Sequence, residues 1–352
     1  MTIKHIYYFS WRDKRSVSTR YRGLYLLEEL ALRKITYDFV CPRYNIGQLI
    51  KFLTLLLKVI FFRKQDSIVV YQKLYTNGLY GKSLKLLLKL SPKNTFYDTD
   101  DADYLRYPSD VIEYFIQNCN QCIVGSHALK KYASNFNEKT HIITTPVILH
   151  KHIKKVKSKT FHIGWIGDYG ANDGIIDSFS HKISLEVLLY PALLALDFTF
   201  KLSLLGIKNP RDKESIETLF KNKTNITLNI PQKIDWFDEN FIYEQIKDFD
   251  VGVSPMINHE FNIAKSAFKA KQYLSCGVPV LGSPIGENLT FIRNEENGYF
   301  CSSPDDFKTR IMEFSTMSHD LYLELSKNAT KQINDFSMKN YVDHFLKVVT
   351  FN

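Results

Sequence analysis

Short apolar, β-branched runs alternate along this chain with longer stretches whose apolar positions recur every three or four residues. Residues 3–9 form such a run and are followed by a helical pattern over 20–33, a run at 35–41, and another at 67–73 with a helix over 76–90 behind it. The alternation continues through a strand at 95–99, a helix at 109–118, a strand at 121–125, a helix at 126–136 and a strand at 141–147. Near-continuous apolar strands separated by helices predict a parallel sheet covered on both faces, because each βαβ crossover lays a helix over the strands it joins. At 150–159 the pattern gives way to a polar, lysine-rich stretch of the kind that joins domains. It then restarts, with strands at 161–166, 198–205, 226–230, 251–256 and 278–282.

The expected fold class is therefore α/β, with two doubly wound, Rossmann-like domains at residues 1–155 and 156–337. The helix predicted over 338–349 lies beyond the last βα unit, is aromatic on several sides, and is expected to pack back on the first domain as the segment 338–352. At about 150 residues per domain, 352 residues suit this division.

The window 46–62 is the most hydrophobic in the chain. Its polar residues Gln48, Lys51, Thr54 and Lys58 fall on one helical stripe. Two lysines inside so short a window argue against a bilayer span, which needs about 20 uninterrupted apolar residues. The amphipathic pattern leaves two readings open, a core-packing helix or one lying on anionic lipid with Lys51 and Lys58 toward the headgroups. Lys82, Lys85, Lys89 and Lys93 around 86–90 repeat the basic and apolar pattern.

Charge sharpens this picture. Residues 1–160 hold 27 Lys and Arg against 12 Asp and Glu, whereas the rest holds 19 against 25. The basic half suits an anionic membrane, a phosphorylated substrate or nucleic acid, and net charge does not choose among them. No recognisable nucleic-acid motif accompanies it. The five cysteines are odd in number and scattered, and the first residues lack the apolar run of a signal peptide, so a cytoplasmic, reducing setting is expected. Cys119 and Cys122 form a lone pair without metal-spaced partners and read as buried thiols.

Chemistry concentrates in 261–287. This segment predicts a loop, a helix with Lys265 and Lys269 one turn apart near its start, a stop at Gly277, a buried strand, and a second turn over 283–286. Lysines at a helix N-terminus, where unpaired N–H groups already attract anions, make a seat for a diphosphate, and Gln272 one turn on places an amide for a ribose hydroxyl. An ordinary amphipathic helix with solvated lysines has the same spacing.

The run Lys265-x-x-Phe268-Lys269-x-x-Gln272-Tyr273-x-x-Cys276-Gly277-Val278-Pro279-Val280, followed by Ser283-Pro-Ile-Gly286-Glu287, resembles the nucleotide-sugar-binding segment of GT-B glycosyltransferases of the group 1 family. The strand ending at Gly167, Leu204-Leu-Gly206, the run from Ile246 to Met256 and Asn297-Gly298 resemble other parts of that family's C-terminal domain. The early turn Ser18-Thr19-Arg20-Tyr21-Arg22 is similar to related sequences. The resemblance implies two domains facing across a cleft. A nucleotide sugar would be held by Gly167, Lys265, Ser266, Phe268, Lys269 and Gln272, as co-substrate and without a cofactor or metal. Independently of the resemblance, the guanidiniums of Arg20 and Arg22, close to a helix start, are candidates to clamp phosphate. The family's paired glutamates fall at Ala264 and Gln272, so both acids are absent.

Asp98-Thr-Asp100-Asp101-Ala-Asp103 ends a predicted strand, at the edge where parallel sheets place ligands. Asp100 or Asp101 is the candidate to polarise an acceptor hydroxyl, with Lys265 neutralising the leaving diphosphate. A second reading takes Asp98-x-Asp100 as a divalent-metal site of a metal-dependent transferase, and a third takes the acids as solvated or helix-capping. Arg12, Lys14 and Arg15 read equally as a phosphate clamp or a solvated loop. His127 and His259 read chiefly as structural. The expected partners are a nucleotide-sugar donor, a glycan or lipid-linked acceptor and an anionic membrane surface, with no nucleic acid. A catalytically inactive nucleotide-sugar or polyanion binder is the non-enzymatic alternative.

Overall fold

A computed structural model describes residues 2–42, 46–150, 157–170 and 178–350. Among these, β1 (His5–Ser10), α1 (Tyr25–Leu32), β2 (Thr36–Val40), α2 (Ile46–Phe61), β3 (Ser67–Gln72), α3 (Leu79–Leu90), β4 (Thr95–Thr99), α4 (Ser109–Asn118), β5 (Gln121–Val124), α5 (His127–Ala133) and β6 (Thr140–Ile142) make the first run. The second comprises β7 (Phe161–Ile166), α6 (His181–Ser184), α7 (Tyr190–Leu194), β8 (Phe200–Leu205), α8 (Pro210–Phe220), β9 (Ile226–Asn229), α9 (Glu239–Ile246), β10 (Val251–Ser254), α10 (Glu260–Ile263), α11 (Phe268–Ser275), β11 (Val280–Gly282), α12 (Asn288–Phe291), β12 (Gly298–Phe300), α13 (Pro304–Thr316) and α14 (His319–Ile333). The described chain closes with α15 (Met338–Thr350).

These elements divide into two compact units. One runs up to Pro146 and takes in Ala264–Ser266 and the chain from Phe336 onward; the other holds Val147–Ile263 and Ala267–Asp335. The stretch expected to join two domains, 150–159, lies partly outside the described residues.

In the first unit six parallel strands run in the order β2-β1-β3-β4-β5-β6. Every residue of β3 and β4 is buried, including the polar Ser67, Gln72, Thr95, Asp98 and Thr99, as strands covered on both faces require. Because β2 lies on one side of β1 and β3 on the other, the chain reverses direction between β1 and β3. Such switch points leave a crevice at the strands' C-terminal ends, where open α/β sheets take ligands. Helix α15 belongs to this unit and buries Met338, Tyr341, Val342, Phe345 and Val349, a spacing that makes one apolar face. An ion pair between Arg33 and Asp343 ties it to the end of α1.

The second unit repeats the plan, in the order β12-β11-β10-β7-β8-β9, again all parallel. Its core gathers Ile163 and Trp165 of β7, Leu202 and Leu204 of β8, Val251 and Val253 of β10, and Leu189 and Leu193 from the helical layer. Here the switch point falls between β7 and β10. Tyr273 of α11 crosses beneath it: its hydroxyl accepts from Ile166 N–H (2.9 Å) and donates to Val253 O (3.2 Å). Gly252 makes room for that ring, since a Cβ there would lie 2.4 Å from it.

Candidate active site

In the second unit the switch point collects part of the group expected to bind a donor. Gly167 ends β7, and the Lys269 stem passes so close that a Cβ on Gly167 would meet Lys269 Cδ at 3.3 Å. Lys269 Nζ donates to His181 Nε2 (2.7 Å), which fixes that imidazole as an acceptor and uses one of the ammonium's three hydrogens. His181 opens α6 on the Ser180 cap. Helix α11 starts at Phe268 behind Ala267, whose side chain has no atom to cap the first N–H groups, and a helix N-terminus favours anions. Gln272 lies one turn along. The second turn is held to β10, because Ser283 Oγ accepts from Met256 N–H (2.9 Å). Gly286 there has φ +53° and faces Ile263 O, which a Cβ would approach to 2.4 Å.

Lys265 does not stand on that helix. Ala267 takes left-handed backbone (φ +50°) and breaks the chain between α10 and α11, so Lys265 sits in the turn before the break and shares no helix face with Lys269. Ala264–Ser266 is gathered into the first unit, where Ser126 Oγ donates to Ala264 O (2.7 Å) and the Ser266 and Thr145 hydroxyls lie 3.3 Å apart.

At the switch point of the first unit the acidic run divides into separate tasks. Asp98 is committed to Arg22, whose Nε and Nη2 both reach its carboxylate, and Gln72 Nε2 adds a third bond (3.0 Å). Arg22 is 0% exposed, gives Nη1 to Ile143 O (2.6 Å) and lies against the Tyr341 ring. The phosphate clamp expected of Arg22 is thus corrected: its guanidinium is spent inside the unit, on a carboxylate 76 residues away in sequence. Arg20 is buried as well, and its Nη1 donates to Lys14 O (3.0 Å) and Arg15 O (3.4 Å), holding the loop after β1. Arg15 pairs with Asp13, and Arg12 donates to Tyr75 Oη (2.6 Å).

Asp100 is buried too, accepting from Ser18 Oγ (2.8 Å) and Thr145 Oγ1 (3.2 Å). Lys73, which no sequence motif marked, places its ammonium among Asp100, Asp101 and Asp103. Burial opposes its charge, but the three carboxylates push its pKa well above the ordinary lysine value. Asp101 is shifted down: burial works against its charged form, and Lys73, Lys265 and Arg106 outweigh it. Asp103 goes the other way, to about 6, chiefly through burial, with its acidic neighbours adding to the shift and Lys73 opposing it. The alternative of a metal on Asp98-x-Asp100 meets the same chemistry. Arg22 holds Asp98, hydroxyls hold Asp100, and an ammonium occupies the middle of the acids.

Helix α2 carries a further correction. Lys51 Nζ donates to Phe39 O (3.0 Å) and Lys58 Nζ to Asp38 Oδ2 (2.9 Å), so the polar stripe turns toward β2. Phe52, Leu55 and Val59 are buried, while Ile46, Leu49, Ile50, Leu53, Leu57 and Phe61 form an exposed ridge at helical spacing. No described helix is long and apolar enough to cross a membrane. All five cysteines are buried free thiols, and burial pushes Cys122 up to about 12.

No family model matches the chain. Over 242 residues it is 23% identical to a GDP-Man:Man(3)GlcNAc(2)-PP-Dol alpha-1,2-mannosyltransferase of Dictyostelium discoideum, a match covering 64% of this chain and 45% of that protein. The chain thus aligns with less than half the length of that curated relative. Among solved structures, it resembles sucrose-phosphate synthase from Thermosynechococcus elongatus (TM-score 0.74, 13% identity, 99% and 98% of the two chains). A glycosyltransferase from Rickettsia africae matches with TM-score 0.67 and 14% identity over 99% and 98% of the chains. Anabaena HepE in complex with UDP-glucose matches with TM-score 0.64 and 11% identity over 98% and 99%. Two six-stranded parallel sheets, each flanked by helices and matched over almost the whole chain by these structures, establish the GT-B fold of glycosyltransferases for this protein.

Proposed function

We propose that this chain is a nucleotide-sugar-dependent glycosyltransferase that moves a hexosyl group from a nucleoside-diphosphate sugar to a glycan or lipid-linked acceptor. The observation that carries this reading is the group at the second switch point: Gly167, the Lys269–His181 pair and the N-terminus of α11, where Ala267 supplies no capping side chain. It has the chemistry of a diphosphate seat, on a fold shared with a protein that binds UDP-glucose.

The donor-side residues are Gly167, Ser266, Phe268, Lys269 and Gln272, with Lys265 the cation that meets charge developing on the leaving diphosphate. Such a contact is worth about 2–4 kcal/mol in a transition state. Asp101 serves the acceptor. Its hydroxyl gives up a proton to the carboxylate as its oxygen bonds the anomeric carbon, and the bond from that carbon to the diphosphate oxygen breaks with its electron pair. Cations and helix amides supply the neutralisation, so transfer proceeds without a metal ion.

A cytoplasmic site at an anionic membrane surface completes the reading. It is supported by the exposed ridge of α2 and by Lys82 and Lys89, exposed on neighbouring α3, where Tyr80 packs on Phe52 (ring centroids 4.8 Å).

Thermal-shift titration with UDP, GDP, UDP-glucose and GDP-mannose tests the donor assignment. A ligand at 100 times its dissociation constant stabilises the fold by about 2.7 kcal/mol. No response to any of the four, together with no turnover of either sugar, would sink it. Activity that EDTA abolishes and Mn²⁺ restores would overturn the metal-free mechanism.

A further inference from the structure

Lys73 follows β3 directly, at the switch point of the first sheet, and its backbone is left-handed (φ +48°). For a residue with a Cβ that conformation is strained and persists only where the surroundings impose it, which is commonly at functional sites. The surroundings here are specific. Its N–H donates to Asp98 O (2.9 Å), anchoring it to β4. Its side chain is buried, and Nζ lies 3.4 Å from Asp100 Oδ1, 3.2 Å from Asp103 Oδ2 and in hydrogen-bond contact with Asp101 Oδ2.

The three acids are not equivalent. Asp100 is held by two hydroxyls, Asp103 is enclosed, and Asp101 is the one whose side chain keeps substantial exposure, 31% against 8% for each of the others. A lysine bent inward to hold one oxygen of the single accessible carboxylate leaves the other oxygen directed by that contact. The strained backbone is what brings the ammonium there.

We propose that Lys73 is the positioning residue of the acceptor site, fixing Asp101 so that the carboxylate oxygen it does not hold receives the acceptor hydroxyl. This rests on the transferase reading above. The charges facing Asp101 are Lys73, Asp100, Asp103, Arg106 and Lys265. Removing Lys73 removes a positive charge that favours the ionised form, whereas Asp103, which holds its proton below about 6, is already neutral where Asp101 titrates. Loss of Lys73 must therefore raise the Asp101 titration, and Asp103→Asn must leave it nearly in place.

The test compares wild type with Lys73→Met, Lys73→Arg and Asp103→Asn. One readout is the pH profile of UDP-glucose and GDP-mannose turnover with water as acceptor. The other is the ¹³C-carboxyl titration of Asp101, identified by its loss in Asp101→Asn. We expect Lys73→Met to lower turnover at pH 6 at least tenfold and to move the acid limb up by about one pH unit, with nucleoside-diphosphate affinity unchanged. Lys73→Arg should restore much of the rate, and Asp103→Asn should leave the limb where wild type has it. If Lys73→Met does not fold, Lys73→Gln, neutral but polar enough to sit among the acids, takes its place. An Asp101 that titrates alike in wild type and in the folded neutral variant of Lys73 overturns the proposal whatever the donor. Absence of both binding and turnover with either nucleotide sugar overturns the transferase reading instead.

Discussion

Arg22 and Asp98 form a buried ion pair in which two guanidinium nitrogens meet one carboxylate beside the switch point of the first sheet. The pair is surrounded by its own satisfaction: Gln72 serves the carboxylate, and Ile143 O and the Tyr341 ring serve the cation. Removing one member leaves the other charged and enclosed. Arg22→Met or Asp98→Asn should therefore cost about 3–5 kcal/mol in urea unfolding. The double variant should cost less than the two single losses added together. Additive losses would show that the two residues do not act as a pair.

Lys265→Ala should lower turnover by about 10²–10³ with little change in the thermal transition, because Lys265 sits in a turn and its charge matters most as the diphosphate departs. Gln272→Ala should chiefly weaken nucleotide binding. Calorimetry with UDP and GDP separates the two, and a Gln272→Ala protein of unchanged affinity removes that residue from the site.

Asp103 gives a dependence of stability on pH whose sign is fixed. Its folded-state pKa of about 6 stands above the ordinary 3.8, so the folded chain binds the extra proton between these values and stability falls as pH rises through that window. A displacement of that size corresponds to about 3 kcal/mol at neutral pH. Asp103→Asn should therefore raise the melting temperature at pH 7 and lose most of that advantage at pH 4. Equal gains at both values would show that charge is not the cause.

On α2 the exposed ridge, not the lysine stripe, should govern lipid binding. Leu53→Glu with Leu57→Glu is expected to reduce sedimentation with anionic vesicles at least tenfold, whereas Lys51→Gln stays within about twofold because its ammonium already serves Phe39 O. Raised salt should weaken the interaction through Lys82 and Lys89. Wild-type protein that sediments equally with neutral and anionic vesicles removes the membrane from the proposed function.

The strands were legible because short runs rich in β-branched and aromatic residues recur between helical patterns: 95–99 and 161–166 stand where that alternation put them. Helical periodicity placed α2 and identified its stripes, but it carries no information about which stripe meets β2; Asp38 and the Phe39 carbonyl decide that. The start of α11 was hidden for a related reason. Nothing local in alanine announces a left-handed residue, and Ala267 adopts that conformation under tertiary constraint. Lys73 was missed because one lysine after a strand has no signature until the chain brings three acids around it. Arg22 was misjudged because its partner is remote in sequence.

The return of α15 to the first unit also sets an order of assembly. The residues that finish that unit are translated after the whole of the second, so a ribosome releases the first sheet with Arg22 still lacking the Tyr341 ring and the face α15 covers still open to water. The amino-terminal unit must wait, partly built, while its neighbour is made. A fragment ending near Pro146 would keep that waiting state permanently.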